Sequence, residues 1–182
     1  MTVPGAVFLD RDGVLNAAIV RAGRPYPPQH VDEVELLPGV RAAIDTFRAA
    51  GLLTVVVTNQ PDVARGTASV ADVEAINARV ADAAGVDVVM ICPHDDVDGC
   101  GCRKPAPGLI LEAAAAHGID LTRSVMVGDR WRDIEAGQAA AVATVLVERG
   151  YHERRSTGAD LVVDELAAAV PWIIQHTRGP AT

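Results

Sequence analysis

The stretch Ala6-Val7-Phe8-Leu9-Asp10-Arg11-Asp12-Gly13 places four apolar residues directly before two carboxylates and a glycine. A short apolar run of this kind is typical of a strand that is buried on both faces of a parallel sheet. Four further valine-rich runs follow along the chain, at residues 53–57, 86–91, 124–127 and 143–147. Together these runs predict five strands of one sheet.

Alanine-rich segments separate the apolar runs. In the first of them, residues 39–50, Val40, Ala43, Ile44 and Phe47 recur at helical spacing. The predicted helices span residues 39–50, 70–84, 107–117, 131–141 and 165–176. Alternation of strands and helices implies right-handed βαβ units. We therefore predict an α/β fold with a doubly wound, Rossmann-like parallel sheet.

The composition indicates one folded domain. The chain has 182 residues, of which 49% are hydrophobic, and this content excludes a disordered, charge-repelled polymer. We expect a single domain over residues 1–177 and a flexible tail over 178–182. Two segments, 11–37 and 92–106, fall outside the alternation and are predicted to be functional loops.

Charge and hydropathy limit the classes of binding partner that are expected. The net charge is −8 and the pI is about 5.0 without a basic cluster, which argues against nucleic acid or an anionic membrane as partner. No apolar run approaches the roughly 20 residues that span a bilayer, and the N-terminus lacks the features of a signal peptide. We expect a monomeric, cytoplasmic protein that acts on a small molecule.

Polar side chains follow the apolar runs, at the sheet edge where parallel α/β proteins bind ligands. Asp10 and Asp12 share a face in extended geometry, and Asp129 leaves another strand end. Taken alone, Asp12-Gly13 is a turn signal and Asp129 is a helix N-cap. Occurring together, the three carboxylates predict a Mg²⁺ site, because magnesium prefers hard oxygen ligands.

Thr58 and Lys104 are candidates for holding a phosphoryl group. Thr58 ends a run of valines, and its alternative is an ordinary strand-terminal threonine. Lys104 is the only lysine in a chain with fifteen arginines, and it precedes a predicted helix start, where an anion can bind. Its alternative is a solvated surface lysine. The lysine ammonium is a compact point charge, whereas an arginine guanidinium is a wider, planar group.

Four motifs in order carry a family resemblance. They are Phe8-Leu9-Asp10-Arg11-Asp12-Gly13-Val14-Leu15-Asn16, Thr58-Asn59-Gln60, Arg103-Lys104-Pro105 and Gly128-Asp129-Arg130-Trp131-Arg132-Asp133. Together they resemble the haloacid dehalogenase (HAD) superfamily of phosphatases. The resemblance implies a capless HAD-like fold in which segment 11–37 is the flap that follows the first strand.

The resemblance also implies roles for individual residues. Asp10 would be the nucleophile that forms an aspartyl-phosphate, and Asp12 the general acid and then the general base. Thr58 and Lys104 would stabilise the phosphoryl group. The Mg²⁺ ligands would be Asp10, Asp12 through its backbone carbonyl, and Asp129, with Asp133 in support.

All three cysteines lie within residues 92–102, in the pattern Cys92-x-His94-x5-Cys100-x-Cys102. Three thiolates and an imidazole suit tetrahedral Zn²⁺ with no open position, which indicates a structural zinc site. A redox pair of Cys100 and Cys102 is the alternative. Zinc bound here would pin the loop that leads into Lys104.

The cysteine loop narrows the resemblance to the zinc-containing sugar and histidinol phosphatases of the superfamily. The stretch 58–66 and Asn16 resemble the heptose-bisphosphate members, which implies the 7-phosphate of D-glycero-D-manno-heptose 1,7-bisphosphate as substrate. Histidinol phosphate is the alternative. A phospho-receiver domain and a non-catalytic zinc module are more distant alternatives.

A bisphosphate needs a second anion site. Arg65, Arg103 and Arg130 are its candidates, because a guanidinium can bind a phosphate in bidentate fashion. Four residues within the motifs are also expected to contact the substrate: Arg11, Asn16, Asn59 and Gln60.

Overall fold

A six-stranded parallel sheet forms the centre of the structure, a computed structural model that describes residues 3–178. The strands of this sheet are β1 (Ala6–Leu9), β4 (Leu53–Asn59), β5 (Val88–Cys92), β6 (Val125–Gly128), β7 (Ala143–Val147) and β8 (Leu161–Val163). Two further strands, β2 (Ile19–Arg21) and β3 (Arg24–Tyr26), form a separate pair. The helices are α1 (Val40–Ala49), α2 (Val70–Ala84), α3 (Gly108–His117), α4 (Trp131–Ala139) and α5 (Leu166–Thr177). Of the tail predicted over 178–182, residues 179–182 lie outside the described part of the chain.

The strand order is β5-β4-β1-β6-β7-β8, and every neighbouring pair in this sheet is parallel. The predicted α/β fold with a doubly wound sheet is confirmed. The chain runs outward from β1 to β4 and β5, then crosses to β6 on the other side of β1. Ligand crevices of open α/β sheets lie at such a reversal, so β1 marks the position of the site.

The sheet separates two apolar layers. Along β1, Val7 and Leu9 face one layer with Phe47 of α1 and Ile173 of α5, and Phe8 faces the other. In that second layer Phe8 belongs to the same core as residues of α3 and α4. Side chains of a strand alternate between faces, and both faces of β1 are fully buried. This burial explains why the first apolar run shows no alternation of polar and apolar residues.

Strand β5 begins later than predicted, since the apolar run that predicted it starts at residue 86. Strand β5 covers Val88–Cys92, because the Asp87 carboxylate accepts hydrogen bonds from the backbone N–H of Thr54 at 2.9 Å and from its hydroxyl at 2.7 Å. This capping interaction holds Asp87 in the connection ahead of the strand.

Three strands were not predicted. Strand β8 has three residues at the sheet edge, and its central Val162 is 57% exposed, so it carries no buried apolar run. Strands β2 and β3 form an antiparallel hairpin inside the flap, joined by Ala22 and Gly23, which have φ values of 50° and 76°. Two successive residues with positive φ are typical of a tight hairpin turn.

Candidate active site

Three buried carboxylates and one ammonium meet at the carboxyl end of β1. Asp10 follows β1, Asp129 follows β6, and Asp133 lies in the first turn of α4. Oxygens of these three carboxylates all lie within 4.8 Å of one another. The Nζ atom of Lys104 lies 2.6 Å from Asp10 Oδ1, 2.6 Å from Asp133 Oδ1 and 2.7 Å from the carbonyl oxygen of Val57.

Burial sets the electrostatics of this cluster. It raises the pKa of the Asp10 carboxyl to about 6, although the Lys104 ammonium opposes the shift. Burial and the negative charges of Asp10 and Asp133 raise the pKa of Asp129 well above its usual range. Burial alone would lower the pKa of Lys104, but the carboxylates of Asp10 and Asp133 outweigh it and raise that pKa. The carboxylates therefore favour a further cation beside Lys104.

The residues present fit a divalent metal ion. Both carboxylate oxygens of Asp129 are buried and accept no hydrogen bond of standard geometry from the described residues, although the Tyr151 hydroxyl is near enough to lower the pKa of Asp129. Gly13 has φ +88°, and a Cβ there would lie 1.9 Å from Asp129 Oδ2, so only glycine leaves room for this carboxylate. Hard carboxylate oxygens with free lone pairs are the donors that Mg²⁺ prefers.

The predicted metal ligands are only partly those that the structure brings together. The carboxylates of Asp10 and Asp129 lie side by side, and the third is that of Asp133, which the sequence placed in support. Asp133 Oδ2 also accepts a hydrogen bond from the backbone N–H of Arg130 at 3.0 Å, which orients it at the start of α4. The side chain of Asp12 is not among the three.

The Asp12 carboxylate is held by a set of side-chain donors. Arg11 donates from Nε at 3.1 Å to Oδ1 and from Nη2 at 2.7 Å to Oδ2. Asn16 donates to Oδ1 at 2.9 Å and Gln60 to Oδ2 at 3.1 Å. The structure therefore places Arg11, Asn16 and Gln60 behind Asp12, and all three are buried and do not line the cleft.

Thr58 and Asn59 end β4 beside the cluster, and both line the cleft. The Thr58 hydroxyl accepts a hydrogen bond from Gln60 at 2.9 Å. Asn59 exchanges two hydrogen bonds with the backbone of Lys104, at 3.0 Å to its carbonyl and 3.1 Å from its N–H. Asn59 thereby fixes the lysine backbone against the end of β4.

The cleft above the cluster has a volume of about 420 Å³ and contains several arginines. Of the predicted substrate arginines, Arg65, Arg103 and Arg130 all line it. Each is engaged by a carboxylate: Arg65 by Asp95 at 2.7 Å, Arg103 by Asp96 at 2.8 Å and Arg130 by Glu153.

Several residues that line the cleft were not among the predicted site residues. They include the charged or ionisable side chains of Arg24, Arg132, His152 and Glu153. Arg132 belongs to the motif Gly128–Asp133, so its position three residues after Asp129 could have indicated that it lies at the cleft. Arg24 lies on strand β3 of the flap hairpin, which places it at the cleft. The backbone N–H of His152 donates to the Gly23 carbonyl at 2.8 Å. That contact joins segments about 130 residues apart, and no local pattern reveals it.

A second cluster joins Cys92, His94, Cys100 and Cys102, whose ligand atoms lie within 4.8 Å of one another. The sulfur atoms of Cys102 and Cys92 are 3.2 Å apart, those of Cys102 and Cys100 3.4 Å, and those of Cys92 and Cys100 3.7 Å. His94 Nδ1 lies 3.2 Å from the Cys102 sulfur. Sulfurs bound to one tetrahedral zinc at about 2.3 Å lie about 3.8 Å apart, so the four residues fit this ion.

Comparisons with known proteins give relatives over nearly the whole chain. A model of the HAD-hydrolase-like family matches residues 101–169. The D-glycero-D-manno-heptose-1,7-bisphosphate 7-phosphatase of Thermosynechococcus vestitus is 35% identical over 94% of this chain and 96% of its own length. The D-glycero-beta-D-manno-heptose-1,7-bisphosphate 7-phosphatase of Escherichia coli K12 is 36% identical over 97% and 96%.

A solved structure is also similar to this chain over nearly its whole length. The D,D-heptose 1,7-bisphosphate phosphatase from B. bronchiseptica, in complex with magnesium and phosphate, matches with a TM-score of 0.81 and 32% identity. The match covers 94% of this chain and 98% of that protein. Among the described residues, no helix combines the length and the apolar character needed to cross a bilayer.

Replacing Gly13 with alanine tests how tightly the Asp129 carboxylate is enclosed. Gly13→Ala combines a left-handed backbone with a Cβ at 1.9 Å from Asp129, whereas Gly51→Ala has a similar φ of +77° and no atom within 4 Å. We expect Gly13→Ala to lower the free energy of unfolding by about 2 kcal/mol more than Gly51→Ala, because only the first overpacks a buried site. Urea unfolding measures both, and equal losses would contradict the enclosure.

Proposed function

This chain belongs to the HAD-like family of heptose-bisphosphate phosphatases, and we propose that it removes the 7-phosphate from D-glycero-D-manno-heptose 1,7-bisphosphate with Mg²⁺. The observation that supports this most is the Asp10 carboxylate at the end of the central strand, 2.6 Å from the buried ammonium of Lys104 and facing a cleft with arginines. We propose that residues 1–177 form one cytoplasmic phosphatase domain, with the flap 11–37 and the zinc loop 92–102 as its inserts.

Asp10 is the nucleophile in this proposal. One of its oxygens attacks phosphorus, forming an Asp10 O–P bond while the bond from phosphorus to the sugar oxygen breaks. Lys104 and the Thr58 hydroxyl face the oxygens of the transferring group, where an ammonium and a donor stabilise spread negative charge. The buried ammonium also holds Asp10 in place before the substrate arrives.

Asp12 carries the protons. In the first step its carboxyl gives a proton to the leaving sugar oxygen, and in the second its carboxylate takes a proton from water. That water oxygen then forms the new bond to phosphorus, and the Asp10 O–P bond breaks to release phosphate. The donors from Arg11, Asn16 and Gln60 keep the Asp12 carboxyl at one orientation.

Asp10 and Asp129, with Asp133 and the backbone carbonyl of Asp12, are the groups that would hold Mg²⁺. When bound, the ion neutralises negative charge on the phosphate oxygens. The unpartnered oxygens of Asp129 and the room left by Gly13 support this assignment.

The outer cleft is where the second phosphate would bind. Arg103 is 11% exposed and adjoins Lys104 in the chain, and Arg130 and Arg65 lie along the same cleft. Arg103 donates from Nε to Asp96 and from Nη1 to the His94 carbonyl, and its guanidinium has five N–H groups, so others remain for a phosphate. A monophosphate without a distal anion leaves these arginines unused, which favours the bisphosphate over histidinol phosphate.

A phosphate-release assay tests the activity and its nucleophile. We expect the wild-type protein with Mg²⁺ to hydrolyse the heptose bisphosphate with a higher kcat/KM than histidinol phosphate, and Asp10→Asn to abolish turnover. The matched control is Asp45→Asn, at an exposed residue of α1 that pairs with Arg41. A preference for histidinol phosphate would refute the substrate, and full activity of Asp10→Asn would refute the nucleophile.

Replacing Lys104 with arginine tests whether shape as well as charge matters at the reacting phosphate. The Lys104 side chain is 4% exposed and its ammonium contacts three oxygens within 2.7 Å, which leaves no room for a planar guanidinium. We expect Lys104→Arg to lower kcat/KM about 100-fold, in the range of a lost charge-stabilising group. Arg41→Lys, at a position of α1 outside the cleft whose side chain is 54% exposed, serves as the control and should leave kcat/KM unchanged. An unchanged kcat/KM for Lys104→Arg would contradict this role.

The cysteine cluster holds structural Zn²⁺ in this proposal. Its four protein donors leave no position for water, and the loop it closes leads through Arg103 to Lys104. Arg103 donates to the His94 carbonyl at 3.1 Å, and the Gly108 N–H at the start of α3 donates to the Gly101 carbonyl at 3.1 Å. Zinc thus orders the chain on both sides of the lysine.

Metal analysis of Cys100→Ser tests this site. We expect zinc to fall from about one equivalent to near zero, with most activity lost, because three ligands bind zinc far less tightly than four. The far-ultraviolet circular dichroism of the sheet should persist. Val97→Ser, in the same loop and 91% exposed, is the control and should keep its zinc. Wild-type protein that contains no zinc when purified without chelators would overturn the assignment.

A further inference from the structure

The guanidinium of Arg11 has no part in the steps above that touches substrate. Although it is a neighbour of Asp10 in the chain, Arg11 is 1% exposed and does not line the cleft. Its Nε and Nη2 atoms donate to the two oxygens of Asp12, and its Nη1 atom donates to Asn77 Oδ1 at 2.7 Å. Arg11 was predicted to contact the substrate, whereas its side chain is buried in the protein and lies outside the cleft.

Stability alone does not explain a buried guanidinium. Removing it from water is costly, and apolar side chains of similar volume stabilise a core as well as a buried ion pair does or better. What the pair supplies is geometry, because a planar fork that binds both oxygens of a carboxylate fixes the plane of that carboxylate. Arg11 meets Asp12 in this two-oxygen arrangement.

Asn77 is an amide in a position that the helix pattern reserves for apolar residues. It lies on the buried face of α2 with Val73, Ile76 and Val80, and it is 4% exposed. Its Nδ2 group is buried and has no hydrogen-bond partner among residues 3–178, which is unfavourable for folding. The side-chain hydrogen bond that Asn77 makes in this part of the chain is the one it accepts from Arg11.

We propose that Arg11 and Asn77 are positioning residues for proton transfer by Asp12. Asn77 holds the far end of the guanidinium on α2, and the guanidinium holds the carboxyl plane of Asp12 toward the cleft. This inference rests on the proposed function, since it takes Asp12 as the acid and the base. It assigns catalytic importance to a helix that does not line the cleft.

The two steps of the reaction separate positioning from folding. With the heptose bisphosphate the leaving sugar oxygen needs a proton, so both steps depend on Asp12. With p-nitrophenyl phosphate the leaving group is stable as an anion, so only the hydrolysis of the phosphorylated enzyme depends on Asp12. A misplaced Asp12 therefore slows the second step alone for this ester, and the phosphorylated enzyme accumulates.

The experiment compares Asn77→Leu with wild type on both esters in the presence of Mg²⁺. We expect kcat on the heptose bisphosphate to fall at least about tenfold while KM changes less than about threefold, part of the 10²–10⁴-fold range of acid–base catalysis. On p-nitrophenyl phosphate we expect a burst of about one p-nitrophenolate per active site before a slow steady state. Val80→Ala, which loses buried packing in the same helix, is the control and should lower Tm without changing kcat or producing the burst.

A double-variant comparison shows whether Asn77 acts through Arg11. Arg11→Met removes the fork and should lower kcat at least as much as Asn77→Leu does. If Asn77 acts only by holding Arg11, the pair Arg11→Met with Asn77→Leu should be no slower than Arg11→Met alone. Because this comparison uses ratios of kcat among folded variants, a lowered Tm does not obscure it.

The outcomes separate this inference from the proposed function. A wild-type protein that releases phosphate from neither ester would overturn the activity and the inference with it. With an active wild type, the inference alone is overturned if Asn77→Leu has an unchanged kcat, if it loses activity equally on both esters without a burst, or if the two substitutions multiply.

Discussion

The buried ammonium of Lys104 is the interaction on which the rest of the site depends. Asp10, Asp129 and Asp133 lie close together out of water, an arrangement that no protein core tolerates without positive charge. Lys104 supplies the charge that the fold itself carries, and it joins Asp10 to Asp133 across the gap between β1 and α4. Both Asp129 oxygens are buried and accept no hydrogen bond of standard geometry from the described residues, so they can take a further cation. The lysine thus lets the fold hold three carboxylates together before a further cation binds.

The parallel sheet makes this arrangement possible because it brings distant segments to one edge. The ends of β1, β4 and β6 deliver Asp10, Thr58 and Asp129 without any long loop between them. Close approach of backbone then decides the remaining distances. A Cβ at Gly128 would lie 2.0 Å from the Cβ of Asp133, so this glycine lets α4 come down onto β6. Glycines at the strand ends therefore set the size of the carboxylate cluster.

The sequence predicted the parts of the site that depend on strand ends and on short motifs. Asp10, Asp129 and Lys104 could be placed because each follows an apolar run or precedes a helix start. The direction of Arg11 could not, since it is decided by Asn77, 66 residues away on another element. Strands β2, β3 and β8 were missed because each has only three residues and none of them contains a buried apolar run. The predicted zinc ligands do lie together, because four ligating residues within eleven positions need only one loop to close.

The zinc loop links the two ends of the proposed substrate. Its chain leads into Lys104 at the reacting phosphate, and its carboxylates hold the arginines of the outer cleft: Asp95 binds Arg65, and Asp96 binds both Arg103 and Arg132. These pairs hold long side chains in place before binding, so less rotamer entropy is lost when an anion arrives. In a chain of net charge −8, the cleft lining is less negative than the rest, because its six arginine and lysine side chains balance its six carboxylates. If the cleft binds the proposed bisphosphate, an ordered loop serves both phosphates, and for this reason a structural metal is expected to influence activity without touching the substrate.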